Sequence, residues 1–416
     1  MKPEQIDLFN DKQVILHKVK VRGEISPIWN VIIHTPSSTG RIRMSLKTTS
    51  LDEAKARARE EFFKAEARVQ SGLPLQAARF DKTAREYLAW LTNEFERKRT
   101  TANRLETHTA ITRNLFIPFF GDTFLHQIGT KEIEKFQDQR TRIGTTHIGK
   151  SVKGSTHNRD ASILNAIFKF AMREKYINEI PMMPKHHHFA QRASFSRGEM
   201  KKLQRKLDEW VANVHPHDAP HIRHYRELFR LYVLMISYSG IRPGKEMASL
   251  RWDGIEFRRD GKIDYVYLPI ISSKNKKGEI ITRGVVGMNQ LRPHIEHVKN
   301  IPDLYNKKLH VFAHPPTTQL SKSFVGKPIQ SFKKQWEAFV EWADLKHEDK
   351  PPYRRRQLYS LRHYYFEQRM LNGDLTLHML AKNGGTSIAV IEKWYAEIQA
   401  TQYAKSLSGV VDRVNS

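Results

Sequence analysis

The sequence predicts a multidomain protein, mainly α with small β elements. Three observations predict it. The chain has 416 residues, too long for one ordinary domain. Alternating apolar and polar residues near the start give way to a capped helix. Beyond that helix the period is purely helical to the 180s, then mixed with two β-rich runs.

The first segment, residues 1–72, holds three short strands. Val14–Lys20, Trp29–His34 and Arg41–Leu46 alternate as half-buried strands do, and Pro36-Ser-Ser-Thr-Gly40 turns the chain between the second and third. Ser50-Leu-Asp-Glu53 is a capping-box pattern. It opens a helix that carries Ala54, Ala58 and Phe62 and runs to about Val69. The expectation is a three-stranded-sheet-plus-helix module, with Gly72-Leu-Pro-Leu-Gln as a linker.

The second segment, residues 78–185, reads as a helical domain. Phe80, Ala84, Tyr87, Leu88 and Leu91 recur at three- or four-residue spacing. Thr107–Phe120 and Thr130–Arg142 follow, punctuated by Gly121 and Gly129. A last helix carries Ile163, Leu164, Ile167, Phe168 and Ala171 on one stripe. Ile180-Pro-Met-Met-Pro184 ends it, and Lys185-His-His-His188 crosses to the next domain.

The third segment, residues 194–416, reads as α+β. Met200–Val214 and Tyr225–Ser239 are helical by period. Asp264–Ile271 and Glu279–Val286 are β-rich runs joined by Ser272-Ser-Lys-Asn-Lys-Lys-Gly278, a hairpin with a basic tip. The helical period returns from Leu358.

Composition narrows the function. Lys and Arg number 70 against 44 Asp and Glu, a formal charge of +26, which on a folded chain points to a polyanionic partner such as nucleic acid. With 39% hydrophobic and 27% charged residues the chain can bury real cores. No stretch approaches the roughly 18 apolar residues of a membrane span, and Met1–Gln13 lacks a secretory apolar region. Cysteine is absent, which excludes disulfide scaffolds, thiol nucleophiles and Cys-based metal sites and fits a reducing cytoplasm.

Two motifs carry less than their letters promise. Gly144-Thr-Thr-His-Ile-Gly149-Lys150-Ser151 matches the P-loop pattern, but a P-loop needs a buried strand before it and a helix N-terminus after it. Here Phe136–Ile143 is polar and helical, and Val152–Thr156 reads as loop, so a basic loop near a phosphate backbone is the better reading. His186–His188 has no further ligand at metal-binding spacing and reads as a solvated linker. H-E-x-x-H and G-x-S-x-G do not occur.

The chemistry-bearing pattern lies in the last segment. Tyr238-Ser-Gly-Ile-Arg242-Pro-Gly-Lys-Glu246 puts an Arg just past an apolar helix, with an acidic residue after it. Tyr359-Ser-Leu-Arg362-His363 supplies a second Arg. Asn383-Gly-Gly-Thr386 precedes Tyr395 by nine residues, counted from Thr386. Taken singly, each has a bland reading: helix-end cations, or a tyrosine of the core. The order Arg, hairpin Lys, Tyr-x-x-Arg-His, Gly-Thr-Ser and Tyr over about 150 residues is not bland. It resembles the tyrosine recombinase (phage integrase) family, across all three segments.

The resemblance implies an arm-type DNA-binding module at 1–72, a helical core-binding (SAM-like) domain at 78–185 and an α+β catalytic domain at 194–416. It implies a site-specific recombinase of a phage or integrated mobile element. Arg242 and Arg362 would hold the non-bridging phosphate oxygens, since guanidinium groups bind them bidentately. Tyr395 would be the nucleophile, storing the phosphodiester bond energy in a 3′-phosphotyrosyl link without ATP. Lys274 would protonate the leaving 5′-oxygen, with Lys276 and Lys277 as competitors. Tyr359 stands where the family often has His, and Thr386 where it has His or Trp. Both can hydrogen-bond phosphate, but a tyrosine with a reference pKa of about 10 is a poor base at neutral pH. His363 reads as a buttress, and Glu246 as a residue that orients the surroundings of Arg242.

No metal or other cofactor is implied. The partners are double-stranded DNA attachment sites and three further copies of the chain, with a DNA-bending host factor and a directionality factor as candidates. No membrane is involved. The resemblance also implies a clamp of the second and third segments on a core site, and a tail, Ala396–Val411, that docks on a neighbouring protomer. The location implied is the prokaryotic cytoplasm, on the nucleoid during action. Two other readings stay open: a type IB topoisomerase, which relaxes supercoils with a similar Tyr–Arg set, and a non-catalytic DNA-binding protein.

Overall fold

The computed structural model describes residues 4–35, 40–143, 152–186, 191–213, 220–274, 280–345, 353–354, 356–373 and 375–395. The chain forms two compact units, residues 1–188 and 189–416. The turn 36–39, the P-loop-like segment 144–151, His187, His188, Lys276, Lys277 and the tail from Ala396 lie outside the described residues.

The first unit opens with an antiparallel sheet in the order β1 (Gln5–Asp7), β2 (Val14–Val21), β3 (Glu24–Ile33), β4 (Ile42–Ser45), four strands where three were expected. β1 is too short to carry a period and is found through its pairing with Ile15–His17. β3 begins five residues earlier than the alternation suggests, because Pro27 reads as a break. The ladder slips there: Lys18 faces Trp29 and Lys20 faces Ile25, so residues 26–28 bulge and Pro27 needs no ladder donor. Arg22 and Gly23, at φ 54° and 93°, make the two-residue turn whose handedness matches the twist of the flanking strands.

Val14, Leu16, Trp29, Val31 and Ile33 face inward and pack against Ala54, Ala58, Phe62 and Ala65 of α1 (Leu51–Gln70). The Ser50 side chain accepts from the Glu53 backbone N–H at 3.5 Å. The reciprocal half of the capping box is replaced, since Glu53 accepts from the Thr48 hydroxyl and from Arg57.

A second apolar cluster in this unit gathers α2 (Phe80–Glu96), α3 (Ala102–Ile111), α4 (Ile117–Phe120), α5 (Thr130–Ile143) and α6 (Gly154–Arg173). The periodic positions Phe80, Ala84, Tyr87, Leu88 and Leu91 are buried, as are Ile163, Leu164, Ile167, Phe168 and Ala171. The single helix expected over 107–120 starts earlier, at the Thr101 cap, and widens into a π-helical turn at Thr112–Phe116. That turn ends just before Pro118, whose missing N–H cannot continue an α ladder. α6 starts at Gly154, so Gly154–Thr156 is helix rather than loop.

His186 is no solvated linker residue. Its backbone N–H donates to Asn158 Oδ1 at 2.9 Å, and its carbonyl accepts from Asn158 Nδ2 at 2.8 Å. Its ring bonds Gln137 at 3.0 Å and stacks on His157 at 4.5 Å between centroids. These bonds and the ring stack outweigh solvation of one imidazole.

In the second unit, β5 (Gln191–Arg192) leads to α7 (Arg197–Ala212), which starts at a true capping box of Ser196 and Glu199. α8 (Pro220–Ser239) is buried almost without interruption from Leu228 to Ile236 and forms the centre of the unit. α9 (Lys245–Ala248) follows. The antiparallel sheet β6 (Glu256–Asp260), β7 (Ile263–Lys274), β8 (Ile280–Met288) adds a strand to the expected hairpin. β6 escaped the sequence reading because Glu-Phe-Arg-Arg-Asp has one apolar residue in five. Val266, Leu268, Ile270 and Val285 face the core that α8 shares with α10 (Arg292–Lys299) and α11 (Lys333–Trp342). β9 (Tyr353–Arg354) pairs in parallel with β5. The chain then forms α12 (Leu358–Asn372), α13 (Leu377–Gly384) and α14 (Ile388–Tyr395), which close over Tyr365, Phe366, Leu380, Ala381 and Ile391. Among the described residues no helix is long and apolar enough to cross a membrane.

Candidate active site

The site is assembled at the C-terminal end of α8. Gly240 ends that helix at φ +69°, and a Cβ there would lie 2.4 Å from the ring of Tyr365, so only glycine fits. Two residues on, Arg242 turns back on α9. Its backbone N–H donates to Glu246 Oε2 at 3.0 Å and its Nη1 donates to Oε1 at 2.6 Å. Glu246 is 4% exposed, whereas the Arg242 side chain keeps 36% of its surface. Gly244 N–H donates to the Tyr232 hydroxyl at 2.7 Å and so fixes the start of α9. Burial pushes that phenol up to about 12, which keeps it neutral.

Arg362 lies on α12 and is 1% exposed. Its guanidinium donates to the carbonyls of Gly240 and Gly384, the latter at 2.7 Å, and lies 4.8 Å from the Phe366 ring centroid. Tyr359 is half-buried one turn earlier, its ring 5.4 Å from that of the buried His363. A Cβ on Gly384 would collide with Phe366 at 2.2 Å, which accounts for the first glycine after Asn383. The second, Gly385, sits at φ +61° and caps α13. Thr386 follows, half-buried, with its N–H on Ala381 O at 2.9 Å.

The sequence reading missed Arg283. It lies on β8, on the same face as the buried Val285, and its side chain is 14% exposed. Its Nη2 donates to Glu246 Oε2 at 3.0 Å and its Nη1 to the Asn383 carbonyl. An arginine at an inward strand position was the available signal. Asn383 clasps the edge of β8: Oδ1 accepts from Val286 N–H at 2.8 Å and Nδ2 donates to Val286 O at 3.2 Å. Burial lowers the pKa of Arg283; Glu246 opposes that, while Arg362 and Arg242 add to it.

The turn 383–385 is thus gripped by three arginines, one per carbonyl: Arg283 on Asn383, Arg362 on Gly384 and Arg242 on Gly385. Among the described residues, Nε of Arg283 and Nε of Arg362 are buried without a partner. Three guanidinium groups beside a single carboxylate, with unused donors, form an environment suited to an oxyanion.

Of the residues the sequence singled out, Arg242, Arg362 and the turn that precedes Thr386 come together, with Tyr359 on the same helix as Arg362. Lys274 ends β7, paired with Ile280, and Tyr395 ends α14. The side chains of Lys274 and Tyr395 lie outside the described residues.

No family model matches the sequence, and neither does any curated protein. Solved structures do. A lambda integrase dimer bound to a COC′ core site is 15% identical, with 95% of this chain and 99% of that chain covered at a TM-score of 0.50. The Tn1549 transposon integrase in complex with circular intermediate DNA is 13% identical, covering 78% of this chain and 98% of that one at 0.53. A lambda integrase tetramer bound to a Holliday junction is 15% identical, covering 86% and 93% at 0.50. The chain has the fold of the tyrosine recombinases and integrases.

Proposed function

We propose that this protein is a site-specific DNA recombinase, an integrase of a phage or integrated mobile element. The observation that carries the reading is the pair Arg242 and Arg362, from separate elements, converging on the carbonyls of the turn immediately before Thr386. A phosphodiester has two non-bridging oxygens whose negative charge grows as the phosphorus becomes five-coordinate. Two permanently charged, preorganised guanidinium groups stabilise that growth most where water is excluded, and Arg362 is buried.

In the proposed reaction the Tyr395 oxygen attacks phosphorus and loses its proton. A 3′-phosphotyrosyl bond forms as the bond to the 5′-oxygen breaks. Lys274, or Lys276 or Lys277 from the same hairpin, gives that oxygen its proton. Ligation reverses each step with the 5′-hydroxyl of another strand as nucleophile, so no ATP is needed and the chain's own residues carry the proton transfers. Tyr359 and Thr386 act as hydrogen-bond donors to phosphate oxygens rather than as bases. Residues 1–72 serve as an arm-type DNA reader, 78–185 as the core-binding domain and 194–416 as the catalytic domain. Four protomers exchange strands on two attachment sites, aided by bending and directionality factors. The formal charge of +26 supports binding to duplex DNA.

The test uses a supercoiled plasmid carrying the two junctions that flank the gene, with EDTA and without nucleotide. Recombinant circles are expected. Relaxed topoisomers alone would replace this reading with a type IB topoisomerase. Binding with neither product, in the presence of host extract, would leave a DNA-binding protein.

A further inference from the structure

The geometry points to Arg283 as a positioning residue of this site: it aligns Arg242 through Glu246 and the turn before Thr386 through the carbonyl of Asn383. The inference rests on the recombinase reading for its kinetic consequence but not for its structural one. Arg283 comes from β8, the second strand of the hairpin whose first strand ends at Lys274. One guanidinium therefore ties together the strand pair that carries the lysine, the carboxylate that holds Arg242 and the turn that delivers Thr386.

The Glu246 carboxylate is divided between the two arginines. Oε1 takes Arg242 Nη1 at 2.6 Å, and Oε2 takes both Arg283 Nη2 at 3.0 Å and the Arg242 backbone N–H at 3.0 Å. Without Arg283 the carboxylate loses the donor that fixes the position of Oε2, and is free to rotate away from Arg242. On the other side, a Cβ on Gly385 would lie 2.7 Å from Arg283 Nε, so the guanidinium lies flat against a residue at φ +61° and backs the turn that Asn383 anchors to Val286. No second acceptor competes for the Nε: among the described residues it is buried and unpartnered. A lysine cannot make both bonds with one fixed plane, because its ammonium is a point donor on a flexible stem.

Three variants of the full chain test this: Arg283→Met, Arg283→Lys and Arg283→Met combined with Glu246→Gln. The first readout needs no activity. Amide exchange in the peptide covering 383–387 is expected to quicken about tenfold or more in Arg283→Met and less in Arg283→Lys, while α8 is unchanged. The second is a single-turnover cleavage assay on nicked DNA from the flanking junctions. The cleavage rate of Arg283→Met is expected to fall about a hundredfold with DNA affinity held within about threefold, partly rescued by lysine. Adding Glu246→Gln is expected to cost less than the product of the two single effects. Unchanged exchange at 383–387, or a rate loss matched by an equal affinity loss, overturns the inference. If the wild type forms no covalent product while exchange responds as stated, the recombinase reading has failed and the positioning role stands. If the wild type cleaves and Arg283→Met cleaves equally fast, the positioning role alone has failed.

Discussion

Glu246 holds Arg242 by both of its oxygens, one on the side-chain Nη1 at 2.6 Å and one on the backbone N–H at 3.0 Å, from a position only 4% exposed. Fixing main chain and side chain together removes the freedom that would otherwise let a half-exposed arginine sweep the solvent. Glu246→Ala strands Arg283 as a buried cation and is expected to cost about 3–5 kcal/mol of stability; Glu246→Gln, which keeps the hydrogen-bonding shape, about 1–3 kcal/mol. Denaturant unfolding of the two variants checks the order.

Gly240→Ala is expected to be among the most damaging single-methyl changes in the chain. The new Cβ would meet the Tyr365 ring at 2.4 Å at a backbone φ of +69°. Overpacking and left-handed strain together cost about 2–4 kcal/mol. Gly244→Ala, with open space around it but a backbone at φ +98° and ψ −124°, is expected to cost only backbone strain, about 1–3 kcal/mol. Thermal unfolding of the pair separates collision from backbone strain.

His108 contributes a pH dependence to the cluster of α2 to α6. Burial, aided by Arg104, lowers its pKa to about 4 from 6.5, and its Nδ1 lies 2.6 Å from the Tyr87 hydroxyl. Its folded pKa lies below the unfolded one, so between those values the unfolded chain binds the extra proton. Stability is therefore complete above about pH 6.5 and declines as pH falls toward about 4. His126 and His157 are lowered in the same direction, so His108→Gln is expected to make the fall of the unfolding midpoint across that window shallower, while lowering the midpoint at neutral pH.

Arg362→Lys tests whether a planar fork is required. The arginine spans the carbonyls of Gly240 and Gly384, and one ammonium leaves one of them without its donor. The variant is expected to lose about 1–3 kcal/mol of stability and to cleave DNA at least about a hundredfold more slowly. Equal cleavage by the lysine variant would remove Arg362 from the chemistry.

Much of this was legible in the sequence. Helices with long apolar stripes, such as α6 around Ile163 and Phe168, were recognisable because the period determines what they bury, although the first turn of α6, Gly154–Thr156, read as loop. The strands β1 and β6 were not, since three residues carry no period and Glu-Phe-Arg-Arg-Asp carries no apolar alternation. At the site, Arg242, Arg362 and Thr386 stood out in the sequence through ordered motifs that resemble the tyrosine recombinase family. Arg283 was not, because its meaning comes from Glu246 and Asn383, which lie 37 and 100 residues away along the chain and meet it only in the fold. His186 was misread for the same reason: Asn158 and Gln137 are invisible from its own neighbourhood.

The measurement that bears most directly on the central claim pairs the wild type with Tyr395→Phe on nicked DNA from the flanking junctions, resolved on a denaturing gel. The account predicts a covalent protein–DNA band with the wild type only, resistant to heat and detergent and removed by protease. A band of equal strength with Tyr395→Phe would contradict it by placing the nucleophile elsewhere. Tight binding with no band from either protein, host extract included, would contradict it by removing the covalent chemistry.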